Sequence, residues 1–77
     1  MSITVTKTLD LKGWACPLPI VKTAKAMKEL ASGEVVEVLA TDPGSVQDFK
    51  AWSTATRNEI VETSKDDGVY RYVIRKR

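Results

Sequence analysis

One residue of this chain has the chemistry of a nucleophile: Cys16, in the run Cys16-Pro17-Leu18-Pro19. It is the single cysteine among 77 residues, and there is no histidine. Those two facts remove most thiol chemistry. A cysteine hydrolase pairs its thiol with a histidine base. A dithiol oxidoreductase needs a second, resolving cysteine. Zinc takes several Cys or His ligands, so no metal site and no resident cofactor are expected. What remains is a thiolate that accepts a group from one protein and passes it to another. Bound sulfur is the simplest cargo. Attack on a donor persulfide leaves Cys16 carrying S–SH, and without a second thiol that sulfur is not released by internal disulfide formation.

The elements around Cys16 must supply the activation that a histidine would otherwise give. Helical periodicity runs from about Pro17 to Ala31, which places Cys16 at or beside a helix N-cap. Unpaired amide hydrogens and the positive end of the helix dipole then favour thiolate over thiol. Pro17 and Pro19 suit a first helical turn, whose amides have no intrahelical partners. The competing reading is a small buried hydrophobe, the usual fate of a free cysteine.

Ahead of this helix, residues 3–9 alternate: Ile3, Val5 and Leu9 share one face, and Thr4, Thr6 and Thr8 the other. This predicts a strand, followed by a turn over Asp10-Leu11-Lys12-Gly13. The helix should bury Ile20, Val21, Ala24, Met27, Leu30 and Ala31, leave Lys22, Thr23, Lys25 and Glu29 outside, and stop at Ser32-Gly33. Residues 34–40 are valine-rich on both faces and predict a central strand. Asp42-Pro43-Gly44-Ser45 predicts a turn, and Ser45 with Asp48 a capping box. A second helix over 46–56 should bury Val46, Phe49, Trp52 and Ala55. Residues 58–65 and 69–75 read as strands joined at Asp67-Gly68, a hairpin signal. The order β-α-β-α-β-β implies an α/β two-layer sandwich, a mixed four-stranded sheet with both helices on one face.

Length bounds the rest. The 77 residues allow one small domain, residues 1–77. A 43% hydrophobic and 29% charged composition is that of a folded chain, and a net charge of +2 is too small to argue nucleic-acid binding. One cysteine excludes an internal disulfide scaffold and suits a reducing cytoplasm. The N-terminus has no basic region followed by an apolar run, and no apolar stretch approaches the ~18–20 residues of a membrane span.

The residues flanking the thiol resemble the TusA/SirA family of small sulfur carrier proteins. The pattern D-x-x-G-x-x-C-P-x-P is present as Asp10, Gly13, Cys16, Pro17 and Pro19. Asp42-Pro43-Gly44-Ser45 with Asp48, Asn58-Glu59, and the ending Tyr70-Arg71-Tyr72-Val73-Ile74-Arg75-Lys76 also look like this family. The resemblance implies a fold like the C-terminal domain of translation initiation factor 3. It also implies that Cys16 carries the sulfur in a sulfurtransferase-like relay. Donors would be a cysteine desulfurase, a rhodanese or a DsrE-like protein. Destinations in the family include tRNA thiolation, molybdenum cofactor assembly and cytoplasmic sulfur oxidation, where thiosulfonate is an alternative cargo. The Asp-Pro-Gly-Ser segment looks most like members tied to sulfur oxidation. Two positions depart from relatives: Trp14 where Leu is common, and Arg57 where Gly is common.

Other residues carry weaker signals. Asp10 reads as a turn cap before it reads as a docking residue, and an acid there would oppose a thiolate. Lys12 and Lys22 are either attractors of an anionic cargo or a solvated face. Trp14 suits a partner anchor or loop packing equally. Arg71, Arg75, Lys76 and Arg77 form a basic end, read as a solubilising edge strand, with direct nucleic-acid binding not expected. Two rival functions stay open: an interaction module in which Cys16 only packs, and an RNA-binding domain that uses this basic strand.

Overall fold

The structure, a computed structural model, describes residues 4–15 and 18–77. Ile3, Cys16 and Pro17 therefore lie outside the described residues. Six elements follow in order: β1 (Lys7–Leu11), α1 (Leu18–Met27), β2 (Val35–Ala40), α2 (Ser45–Thr56), β3 (Glu59–Asp66) and β4 (Val69–Arg75). They form one four-stranded sheet in the order β1-β2-β4-β3. β1 runs parallel to β2, and the other two pairings are antiparallel. Met27, Leu30 and Phe49 pack with Val36, Val38, Ala40, Tyr72 and Ile74 in one core. Both helices thus cover the same face of a mixed sheet, as the element order implied.

β1 lies later in the chain than its alternation predicted. Asp10 and Leu11 belong to the strand, because they continue the parallel ladder opposite Leu39 and Ala40. Leu11 is buried in the core, and the turn shrinks to Lys12 and Gly13.

α1 ends at Met27 and does not continue to Ala31. The Glu29 amide reaches the Ala26 carbonyl (3.0 Å) and the Leu30 amide the Met27 carbonyl (3.2 Å), a tighter i→i+3 winding. The Ala31 amide then donates to the Glu34 carboxylate (2.6 Å). The buried face also differs. Pro19, Thr23, Ala26 and Met27 face inward, whereas Val21 is 54% exposed and Ala31 is exposed. Thr23 is fully buried at no cost in unmet polarity, since its hydroxyl donates to the Pro19 carbonyl (2.8 Å).

α2 starts at Ser45, with Gly44 as N-cap, and the predicted capping box does not form. Ser45 is buried, and its hydroxyl shares a 2.8 Å hydrogen bond with the Tyr72 hydroxyl. Phe49 stacks on Tyr72 (4.5 Å between centroids, 23° between planes) and meets Trp52 edge-on (6.1 Å, 83°). Val46 and Ala55, expected inside, are exposed. The helix rests on a narrow stripe through Ser45, Phe49 and Trp52, and Val46 stands one step round from it.

Arg57 ends α2 in the left-handed region (φ 62°, ψ 19°). A Cβ is strained there, and glycine is not. Arg57→Gly should therefore raise stability by about 0.5–1 kcal/mol after the entropy that glycine adds to the unfolded chain is deducted. A higher urea midpoint with an unchanged slope is the expected reading.

Asp67 (φ 51°) and Gly68 (φ 78°) form the predicted two-residue hairpin turn, both central residues at positive φ. The β4 it leads into is an interior strand, contrary to the edge expected for the basic end. β3 pairs with its outer side, and β2 with its inner side. Its charges are correspondingly matched. Arg71 Nε donates to Glu37, Arg71 Nη1 lies 3.6 Å from Glu62, and Arg75 lies 3.3 Å from Glu59.

The Arg71 hydrogen bond holds the Glu37 carboxyl below its ordinary value, against an opposing push from desolvation. A carboxylate so lowered adds stability above its unfolded value, and the gain is lost as pH falls through the folded value. The stability advantage of the parent over Glu37→Gln should therefore be full near neutrality and shrink below about pH 4.3. Urea midpoints of the two proteins at neutral pH and at about pH 3 check this.

Candidate functional site

β1 and β2 are parallel, so both end on the same side of the sheet, and both helices begin there. Three residues of the sequence motif, Asp10, Gly13 and Pro19, can be placed against this end. Two belong to the loop entering residue 16, and one to the helix leaving it. Asp10, still within β1, accepts the Lys12 amide on Oδ1 (3.2 Å), and its Oδ2 lies 3.8 Å from Lys12 Nζ. This is the turn-bracing role expected of it. Gly13 takes φ +85°, and its amide donates to Thr41 Oγ1 (2.8 Å). A Cβ at Gly13 would meet nothing within 4 Å, so backbone conformation is the requirement there and not space. On the far side, Pro19 is fully buried and its carbonyl accepts the Thr23 hydroxyl. The Leu18 amide donates to the Ala15 carbonyl (3.0 Å), which draws together the two ends of chain that flank residues 16–17. Cys16 and Pro17 themselves lie outside the described residues, as does the expected helix-start position of the thiol.

Two features of this end were not evident from residue types. Thr41 carries the tie between the loop and β2, and only the parallel pairing of β1 with β2 brings it there. Lys22 turns back over Trp14, with Nζ 5.1 Å from the ring centroid. Trp14 is 38% exposed, so the loop-packing role falls to its contact with Lys22 and much of the ring still meets solvent. Leu18 and Val21 are exposed on the same stretch of α1, beside it in sequence. Trp52, by contrast, packs against the core as expected.

The basic end is distributed, not clustered. Lys76 Nζ donates to the Leu30 carbonyl (2.6 Å), and the Arg77 amide to Asn58 Oδ1 (2.9 Å). Among the described residues no group of three or more Cys, Asp or Glu side chains is placed to hold a metal ion. No helix among them is long and apolar enough to cross a membrane.

Comparison with known proteins places this geometry. The family described as sulfurtransferase TusA matches residues 7–76, from the start of β1 to just past β4. A sulfur carrier protein TusA of Allochromatium vinosum is 44% identical over 68 residues, 88% of this chain and 90% of that protein. A candidate sulfur carrier of Halobacterium salinarum is 48% identical over 73 residues, 94% of this chain and 90% of its own. Among solved structures, a SirA-like protein from Desulfitobacterium hafniense superposes with a TM-score of 0.81 at 32% identity, covering 91% of this chain and 96% of that one.

Proposed function

The chain belongs to the TusA family of sulfur carriers, and from that premise we propose that it carries sulfur on Cys16 between a donor and an acceptor protein. The observation that carries this reading is the motif around a solitary thiol: Asp10, Gly13, Cys16, Pro17 and Pro19 stand together in a chain with no other cysteine and no histidine. The geometry supports it. The loop before residue 16 is braced by Asp10 and Gly13, and the helix after it is anchored by the buried Pro19.

The Cys16 thiolate attacks the terminal sulfur of a donor persulfide, R–S–SH. A new S–S bond forms, the donor S–S bond breaks, and the donor leaves as its thiolate. Cys16 then holds S–SH. The acceptor's thiolate repeats the step in the other direction of transfer and regenerates Cys16. With tetrathionate as donor the thiolate attacks an inner sulfur, the central S–S bond breaks, Cys16 Sγ–S–SO₃⁻ forms and thiosulfate leaves. Activation comes from the helix start and not from a base, since the chain has no histidine. Cysteine desulfurase, rhodanese or DsrE-like proteins suit the donor role. Sulfur oxidation, tRNA thiolation and molybdenum cofactor assembly suit the destination, with the cytoplasm as the setting. Contacts on either side should be small and transient.

Intact-mass measurement after incubation with a persulfide donor or tetrathionate tests the proposal. One added sulfur, or one thiosulfonate, on the peptide containing Cys16 is expected. An unmodified thiol after every donor would leave only a packing role for this residue.

A further inference from the structure

The helices leave part of the sheet uncovered. Between α2 and the β3–β4 hairpin lies a groove of about 380 Å³, lined by Val46, Lys50, Ile60, Lys65, Tyr70 and Tyr72. α2 rests on its Ser45–Phe49–Trp52 stripe, and the groove opens between its Val46–Lys50 flank and edge strand β3. Val46 is 46% exposed at its wall. No acidic residue lines it. Lys50 and Lys65 stand on opposite walls, and neither makes an ion pair with any described residue. Lys65 instead lies 5.3 Å from the Tyr70 ring centroid. Unlike the arginines of β4, which are matched by glutamates, these two ammonium groups beside an apolar floor have no acidic partner among the described residues.

We propose that this groove is a second protein-docking site that takes an acidic segment of a partner, one apolar side chain entering between Val46, Ile60 and Tyr70 and its carboxylates meeting Lys50 and Lys65. Apolar anchors set between charges of one sign select a segment of the opposite sign. The site's position gives it a use. Leu11, Ala40, Tyr70 and Lys65 form one row across the sheet. Three strand spacings put Lys65 about 14 Å from Leu11, where the loop to Cys16 begins. A partner held by the groove keeps its reacting group near that loop at high effective concentration without enlarging the contact at the loop itself.

Amide shifts of the labelled full chain, kept reduced, test this with a short peptide of alternating leucine and glutamate. Val46, Lys50, Lys65 and Tyr70 should shift, and a leucine–lysine peptide should leave them unmoved. The double variant Lys50→Glu, Lys65→Glu should bind the acidic peptide about tenfold more weakly. Val46→Asp should weaken it independently. All three side chains are exposed, so the spectrum should otherwise keep its dispersion. Absence of binding, equal binding of the two peptides, shifts confined to other surfaces, or undiminished binding by both variants would overturn the proposal. So would groove shifts produced by oligouridylate in place of the peptide, or by raising the protein concentration alone, which would assign the groove to RNA or to a second copy. Sulfur loading has no part in the assay, so its failure leaves the carrier reading standing.

Discussion

Cys16→Ser should abolish sulfur loading and onward transfer, while the far-UV spectrum and urea midpoint should stay close to those of the parent. Serine keeps the size of the side chain and removes its nucleophile. A neutral hydroxyl has neither a thiolate's charge nor its affinity for sulfane sulfur, and surroundings that ionise a thiol do not ionise an alcohol. No second cysteine and no histidine exist to take over. The loss should therefore be complete by intact mass, not partial. Residual transfer by the serine variant would overturn the assignment of the carrier thiol. The same variant separates the rival functions. An RNA-binding domain would keep salt-sensitive binding after the substitution. The basic strand gives that rival little support, since Arg71 and Arg75 are already paired with Glu37, Glu62 and Glu59.

Phe49→Ala should unfold most of the protein at room temperature. Phe49 is fully buried, and its ring lies between Tyr72 and Trp52. Truncating a buried phenylalanine costs about 3–5 kcal/mol through lost transfer energy and the cavity left behind. A single core in a domain of this size supplies only about 3–5 kcal/mol in total. The two magnitudes are equal, so the folded population should collapse. Phe49→Leu fills more of the space and should remain folded, with a lower urea midpoint. Circular dichroism in urea distinguishes the cases. An alanine variant with a midpoint near the parent's would mean that α2 does not hold the core together. Sulfur loading by the unfolded variant is informative too, because activation that depends on a formed helix start should be lost with it.

Most of the architecture was legible because its signals are local. The Asp67-Gly68 turn demands positive φ at both positions and takes it. The valines of residues 35–40 mark a strand with neighbours on both sides, and β2 has them. Arg57 stands where a glycine was expected, and it does adopt the left-handed conformation such a site requires. The misreadings have a common cause, which is polarity judged by residue type. Thr23 read as solvent-facing and Ser45 as a helix cap, yet each is buried with its hydroxyl satisfied, by the Pro19 carbonyl and by Tyr72. Val21 and Val46 read as core, yet both are exposed. Thr23 is satisfied within its own helix by the carbonyl four residues back, so its burial leaves no unmet polarity, whereas the partner of Ser45 is 27 residues away and only the fold brings it there.

The residue types alone determined that a lone thiol, flanked by prolines and unassisted by histidine, is suited to hold a group for another protein. They determined the order of strands and helices as well, since alternation, helical period and turn residues act over a few neighbours. Which strands lie inside the sheet was decided only by tertiary pairing: β4 became interior, and its arginines met glutamates from both flanking strands. The bracing of the thiol loop was decided there too. Gly13 and Thr41 are 28 residues apart in sequence and joined by one hydrogen bond, because the parallel strands that precede them end side by side.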